Sequence, residues 1–341
     1  MKKLTAVLMV AAIGTAACGN GAASGGASAD EKTIRLAYQA FPSGDLIVKN
    51  QGLLEKALPD YQITWTKFDS GASINTAFVA KSVDIAAIGS SPVARGLSAP
   101  LNIPYKVAFV LDVAGDNEAL VARNGSGVTD VASLKGKKVA TPFASTAHYS
   151  LLAALEQAGV PEKEVDIVDL EPQDIQAAWT RGDLDAAYTW LPSLAEIKKT
   201  GKVLIASREL ATAGKPTLDL GVVSTAFADA HPEAVDAWRK VEAQALDIIA
   251  SDPDAAAKAV GAELNLSPAD AKDQLSQGVF LKPSDLSSPE WLGTEAAVGK
   301  LADNLVSAAE FLKSQQKIDA VPALADVQKA IYVKGLPDVL S

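Results

Sequence analysis

Three short turns rich in serine and glycine carry the residues best suited to chemistry in this chain. The first reads Lys67-Phe68-Asp69-Ser70-Gly71-Ala72-Ser73, the second Ile88-Gly89-Ser90-Ser91-Pro92, and the third Ala144-Ser145-Thr146-Ala147-His148-Tyr149-Ser150. Each stands where a helical pattern begins, and the second and third follow short apolar runs. A helix start leaves backbone N–H groups without intrahelical partners and carries partial positive charge, so it attracts anions. Ser70, Ser73, Ser90 and Ser91 add hydroxyls, and Gly71 leaves the backbone approachable. One such turn is ordinary capping. Three together supply the donors that an oxyanion with several acceptor oxygens needs.

Other side chains widen the chemistry. Trp190 offers an apolar wall or a face for a cation, and Tyr149 and His148 can each donate to an anion. Glu118, in Gly115-Asp116-Asn117-Glu118-Ala119-Leu120, and Asp219, in Pro216-Thr217-Leu218-Asp219-Leu220, are carboxylates for the cationic end of a zwitterion. His231 precedes Pro232 and reads as a helix entry. Catalytic signatures are missing: no nucleophile elbow, no phosphate-binding P-loop, no dinucleotide glycine pattern after a strand, and no zinc-protease helix. Two histidines and one cysteine cannot build a metal site rich in those ligands, so neither metal nor cofactor is expected. The reading is binding rather than catalysis.

Positioning these turns requires an α/β framework. From residue 33 onward short apolar runs alternate with helical patterns, the mark of mostly parallel strands. Strands are expected at 33–38, 62–66, 83–88, 105–111, 138–141, 165–169, 186–189, 203–206 and 221–224. Helices are expected at 73–81, 147–158, 174–181, 194–200 and 232–250, with a largely helical tail from 267. One internal echo stands out. Ser82-Val83-Asp84-Ile85-Ala86-Ala87-Ile88 ends at Pro92, and Gly182-Asp183-Leu184-Asp185-Ala186-Ala187-Tyr188 ends at Pro192. Two lobes of similar build facing across a cleft would produce it, with ligands at the carboxyl ends of the strands.

Composition bounds the rest. Hydrophobic residues make up 48% and charged residues 21% of the 341, ordinary for a soluble globular chain. The formal net charge is −10, and losing Lys2 and Lys3 would take it to −12. With no basic stripe, nucleic acid is not an expected partner. Lys2 and Lys3 precede an apolar run that is too short to span a bilayer and is shaped like a signal peptide. The run ends at Cys18, the only cysteine, followed by a stretch rich in glycine, alanine and serine. The pattern resembles a bacterial lipoprotein signal: residues 1–17 removed, Cys18 acylated, and residues 18–32 a flexible tether. The expected product is a monomer held at the outer face of the membrane by this lipid alone.

Six segments together resemble the taurine-binding proteins of bacterial ABC importers. They are the turn at Lys67, the turn Gly89-Ser90-Ser91-Pro92, the run Asn117-Glu118-Ala119-Leu120, the stretch His148-Tyr149-Ser150-Leu151-Leu152, the pair Ala178-Trp179 with Arg181-Gly182-Asp183, and Pro216-Thr217-Leu218-Asp219. The resemblance implies a type II periplasmic-binding-protein fold, with two α/β lobes joined by two crossovers around a cleft. It puts the first lobe at 33–115 and 222–341, and the second at 116–221. It implies that Asp69, Ser70, Gly71, Ser73, Ser90, Ser91, Thr146, His148 and Tyr149 surround a sulfonate. Asp219 and Glu118 would take the ammonium, with Trp190 lining the pocket. Departures from the family pattern at Thr189, Leu191 and Gly221 would reshape its far wall. The implied partners are a small aliphatic sulfonate and a permease with its ATPase. The alternatives are nitrate or another oxyanion as ligand, a sensory receptor, and a pyrimidine-precursor synthase of the same fold.

Overall fold

The computed structural model describes residues 32–340; the expected signal, Cys18 and most of the tether lie outside them. Ten strands form two five-stranded sheets. Thr33–Gln39 (β1), Gln62–Phe68 (β2), Ile85–Gly89 (β3) and Tyr105–Val113 (β4) belong to one. Glu118–Arg123 (β5), Lys138–Thr141 (β6), Asp166–Asp169 (β7), Ala186–Trp190 (β8) and Gly201–Ala206 (β9) make the other, and Leu218–Ser224 (β10) returns to the first. The orders are β2-β1-β3-β10-β4 and β7-β6-β8-β5-β9. In each sheet the first three strands are parallel, and the fourth, which comes from across the crossover, runs antiparallel to both neighbours. The architecture is the two-lobed type II binding-protein fold with a cleft between the lobes.

The internal echo has a shared cause. Strands β3 and β8 hold equivalent places in the two sheets, and each follows an aspartate that stitches the neighbouring strand. Asp84 accepts the backbone N–H of Arg35 at 2.9 Å, and Asp185 accepts that of Lys138 at 2.9 Å. Each aspartate's own N–H returns a bond to the same residue's carbonyl. The register of each sheet's central strand is thus fixed by one side chain.

Packing follows the apolar runs. All five residues of β3 are buried, as a central strand covered on both faces must be. Behind the first sheet, the helix Pro232–Ser251 lays Trp238 against β10. A Cβ on Gly221 would sit 2.5 Å from that ring, so Gly221 is a core contact and takes no part in the cleft wall expected of it. Behind the second sheet, Ile175 and Trp179 of the helix Pro172–Arg181 join Leu194 against Val121, Ala140 and Ala187.

The crossovers lie side by side. One links β4 to β5, the other enters β10, and they bond to each other where Ala114 N–H donates to the Thr217 carbonyl at 2.9 Å. A third segment braces them: Val113 and Val279 exchange both backbone bonds, and Asp116 N–H donates to the Gln277 carbonyl. The return to the first lobe comes earlier than the expected boundary at 221. Leu218 and Asp219 already pair with β4, because β10 is one continuous strand.

Candidate functional site

A cavity of about 30 Å3 between the lobes lies at the carboxyl ends of the strands. The first lobe supplies Gln39 at the end of β1, Phe41 just beyond it, and Gly71, Gly89 and Pro92 from the first two turns. The crossovers make the floor, with Ala114, Asn117, Glu118 and Asp219. The second lobe closes it with Ser145, Thr146, Trp190 and Leu191. No lysine or arginine lines it among the described residues. Its size suits a small guest, and its charge comes from carboxylates.

Glu118 opens β5 opposite Trp190 and is buried. Its oxygens accept from four hydroxyls: Ser207 at 2.7 Å, Ser150 at 3.2 Å, Thr217 at 3.4 Å, and Thr146. Burial pushes its pKa up, and the hydroxyls oppose that shift. Four donors and no cation leave its charge unneutralised.

Asp219 on β10 pairs in register with Gly89 on one side and Asp112 on the other. Asp112 is completely buried, and neither of its carboxyl oxygens has a hydrogen-bond partner. Burial pushes Asp112 up to about 7. Asp219 is driven well above the usual carboxylate range, first by burial and then by the charges of Asp112 and Glu118. A cation entering here would meet groups that gain from being neutralised by it.

The helix starts face this floor from both lobes. The helix Gly71–Val79 begins after extended Ser70, the helix Ser90–Leu97 after Gly89, and the helix Thr146–Gln157 after Ser145. The lobes touch where they meet. A Cβ on Gly89 would stand 2.6 Å from Thr146 Cγ2, so a larger residue has no room at that position. Gly71 is as tight, 2.5 Å from the Pro92 ring by the same measure. Across the cleft, Ser70 Oγ donates to Glu171 Oε1 at 2.9 Å.

Comparison with known proteins gives the geometry a context. The chain is 38% identical over 259 residues to the taurine-binding periplasmic protein of Escherichia coli K12, covering 76% of this chain and 79% of that protein. The chain belongs to the family of periplasmic substrate-binding proteins that includes it. Residues 102–256 match the NMT1/THI5-like family. The fold matches the alkanesulfonate-binding protein of Xanthomonas axonopodis pv. citri bound to MOPS, with TM-score 0.74 and 22% identity over 88% of this chain and 98% of that one. It also matches the nitrate-binding protein of Synechocystis PCC 6803, with TM-score 0.71 and 15% identity over 91% and 88% of the two chains.

In this binding protein the residues expected from sequence divide into two groups. Gly71, Glu118, Thr146, Trp190 and Asp219 meet in the central cavity. The others do not line it. Ser70 spends its hydroxyl on Glu171, and Ser73 turns back to the Ser70 carbonyl at 2.7 Å as a cap. Ser90 points inward, its hydroxyl accepting the Leu218 N–H at 3.0 Å. Asp69 lines a neighbouring recess with Glu171. Ser91, His148 and Tyr149 face a second cavity of about 130 Å3 on the far side of the Ser90 and Thr146 helices. His148 diverges from Thr146 because two steps along a helix turn a side chain to roughly the opposite face. Leu191 does line the central cavity.

Gln39, Phe41, Asn117 and Ser145 were missed. Gln39 lies at the carboxyl end of a parallel strand, the same signal that pointed to Gly89, and it donates to the Ala87 carbonyl at 3.3 Å. Asn117 immediately precedes Glu118 and accepts the Gly115 N–H at 2.6 Å, fixing the crossover.

Proposed function

We propose that the protein is the extracytoplasmic binding component of an ABC importer and captures taurine or a related short aminosulfonate. The observation that carries this reading is the charge layout of the central cavity. Its floor holds Glu118 and Asp219 with Asp112 behind, and the starts of the Gly71, Ser90 and Thr146 helices converge above it. An ammonium at the floor and a sulfonate toward the N–H groups would satisfy both ends of one small zwitterion. Trp190 and Leu191 would cover the methylenes between them. The likeness to the taurine-binding protein supports the same ligand class.

The reading extends to where the protein works. Export and acylation of Cys18 would tether the lobes outside the membrane, beside a permease whose ATPase drives uptake. Closure of the lobes around ligand is the event the permease would sense. A mass measurement on the native protein tests the anchor: an added diacylglyceryl mass on Cys18 is expected, and an unmodified mature chain overturns it.

Calorimetry on the mature, unlipidated protein tests the ligand. Taurine is expected to bind, with ethanesulfonate at least about tenfold weaker because it leaves the acidic floor uncompensated. Nitrate or ethanesulfonate binding as tightly as taurine would point to a simple oxyanion carrier instead. Absence of heat and thermal shift with both taurine and ethanesulfonate would sink the sulfonate reading.

A further inference from the structure

The second cavity has the opposite chemistry from the first. Its polar lining is made of donors: Ser91 and Arg95 from the Ser90 helix, His148 and Tyr149 from the Thr146 helix, and Lys317 from the segment after the helix Leu301–Ser314. No aspartate or glutamate lines it among the described residues. Arg95 is half-buried and makes no ion pair or hydrogen bond there, while Lys317 is paired at 2.8 Å with Glu162 outside the lining.

His148 supplies the independent sign of a guest. It is only 5% exposed, and its Nδ1 accepts the Ala144 N–H at 3.1 Å, which leaves the ring proton on Nε2. That Nε2 has no partner. Burial, with Lys317 and Arg95 nearby, lowers the ring to about 4, so at neutral pH it is a neutral donor locked in one tautomer. Phe143 stacks on the same ring at 4.6 Å between centroids and walls the cavity. A buried donor without an acceptor is costly unless something brings one.

We propose that this cavity binds a small tetrahedral oxyanion of the sulfate or phosphate class, separately from the central ligand. The guanidinium and ammonium supply charge, and the His148, Ser91 and Tyr149 donors supply direction. Because the donors come from the first lobe, the second lobe and the C-terminal segment, the anion ties all three together. It favours the closed arrangement, and Ser145, which lines both cavities, is the element they share.

The test uses the mature protein without added taurine and inorganic sulfate, then phosphate, as probes. Imidazole NMR is direct, since the chain has only two histidines, His148 and His231. Saturable shifts at His148 and none at His231 are expected. Arg95→Gln should weaken the titration about tenfold and Lys317→Gln at least about threefold, while Asp219→Asn in the central cavity leaves it within about twofold. The proposal is overturned if His148 does not respond up to about 50 mM of either ion, or if both cationic variants titrate like the parent. It is equally overturned if Asp219→Asn tightens the titration beyond about twofold, because sulfate would then be occupying the central cavity, whose floor that substitution makes less negative. Melting curves of each variant verify folding, and if Arg95→Gln unfolds, Lys317→Gln alone decides, a parent-like titration of it overturning the proposal.

Discussion

Ser70 in the first lobe donates its hydroxyl to Glu171 in the second, 2.9 Å across the mouth of the cleft. Glu171 is the residue before the Pro172–Arg181 helix, and burial raises its pKa against the opposing bond from Ser70. The bond bridges the two lobes and would be broken by their separation, so we read it as a latch. Glu171→Ala should weaken ligand binding by about fivefold, the value of one ordinary net hydrogen bond, through faster release. Glu171→Gln keeps an acceptor and should stay within about twofold. Stopped-flow release rates measure it; equal rates for Glu171→Ala and parent would remove the latch.

Gly89 gives a steric test of closure. Its virtual Cβ lies 2.6 Å from Thr146 Cγ2 on the other lobe, so Gly89→Ala should wedge the cleft and lower affinity by about tenfold or more. Thr146→Ser deletes that methyl yet keeps the hydroxyl that Glu118 accepts. The double variant should therefore recover most of the loss, as a thermodynamic cycle by calorimetry would reveal. Additive losses would mean the contact does not limit closure.

Ligand-free stability should fall as pH rises. Asp112 is raised to about 7 and Asp45 to about 6, both by burial, whereas unfolded aspartates titrate near 3.9. The folded state then holds these protons more tightly than the unfolded chain. Their neutral forms favour folding at acidic pH, and that advantage is lost from about pH 4 to about pH 7. Asp112→Asn removes the charge and should melt above the parent at pH 7.5 and level with it near pH 5. A parent melting point that climbs between those values would contradict the assignment.

Ligand binding should show the reverse trend. A bound ammonium would stabilise ionised Asp219 and lower its pKa from the raised ligand-free level, so binding releases protons and tightens with rising pH. Calorimetry of taurine in buffers of different ionisation enthalpy should record net proton release near neutrality. Asp219→Asn should abolish the release and most of the affinity. Proton uptake in the parent would reject the ammonium placement.

The parts legible in the sequence were those governed by local rules. The paired aspartates Asp84 and Asp185 could be read as an echo because each does the same stitching within its own sheet. The helix starts were visible from serine and proline. Strand β5 was not, because Glu118 and Arg123 bracket a short apolar run that enters the sheet from across a crossover, outside the strand–helix alternation. Asp219 hid the first half of β10 for a related reason: a charged residue in a strand reads as a break until its burial beside Asp112 is known. Side-chain direction was the larger loss. Ser91, His148 and Tyr149 share turns with true cavity residues yet face away, toward a cavity completed by Lys317, which is distant in sequence from all three.

The two crossovers, bonded to each other through Ala114 and Thr217 and flanked by Val279, form a narrow ribbon rather than two loose strings. A ribbon bends easily across its face and resists shear and twist, which leaves the lobes essentially one degree of freedom. Asp112, Glu118 and Asp219 sit at the ends of that ribbon. A charge placed on the cavity floor therefore presses on the bending element itself, and capture and closure become one mechanical event.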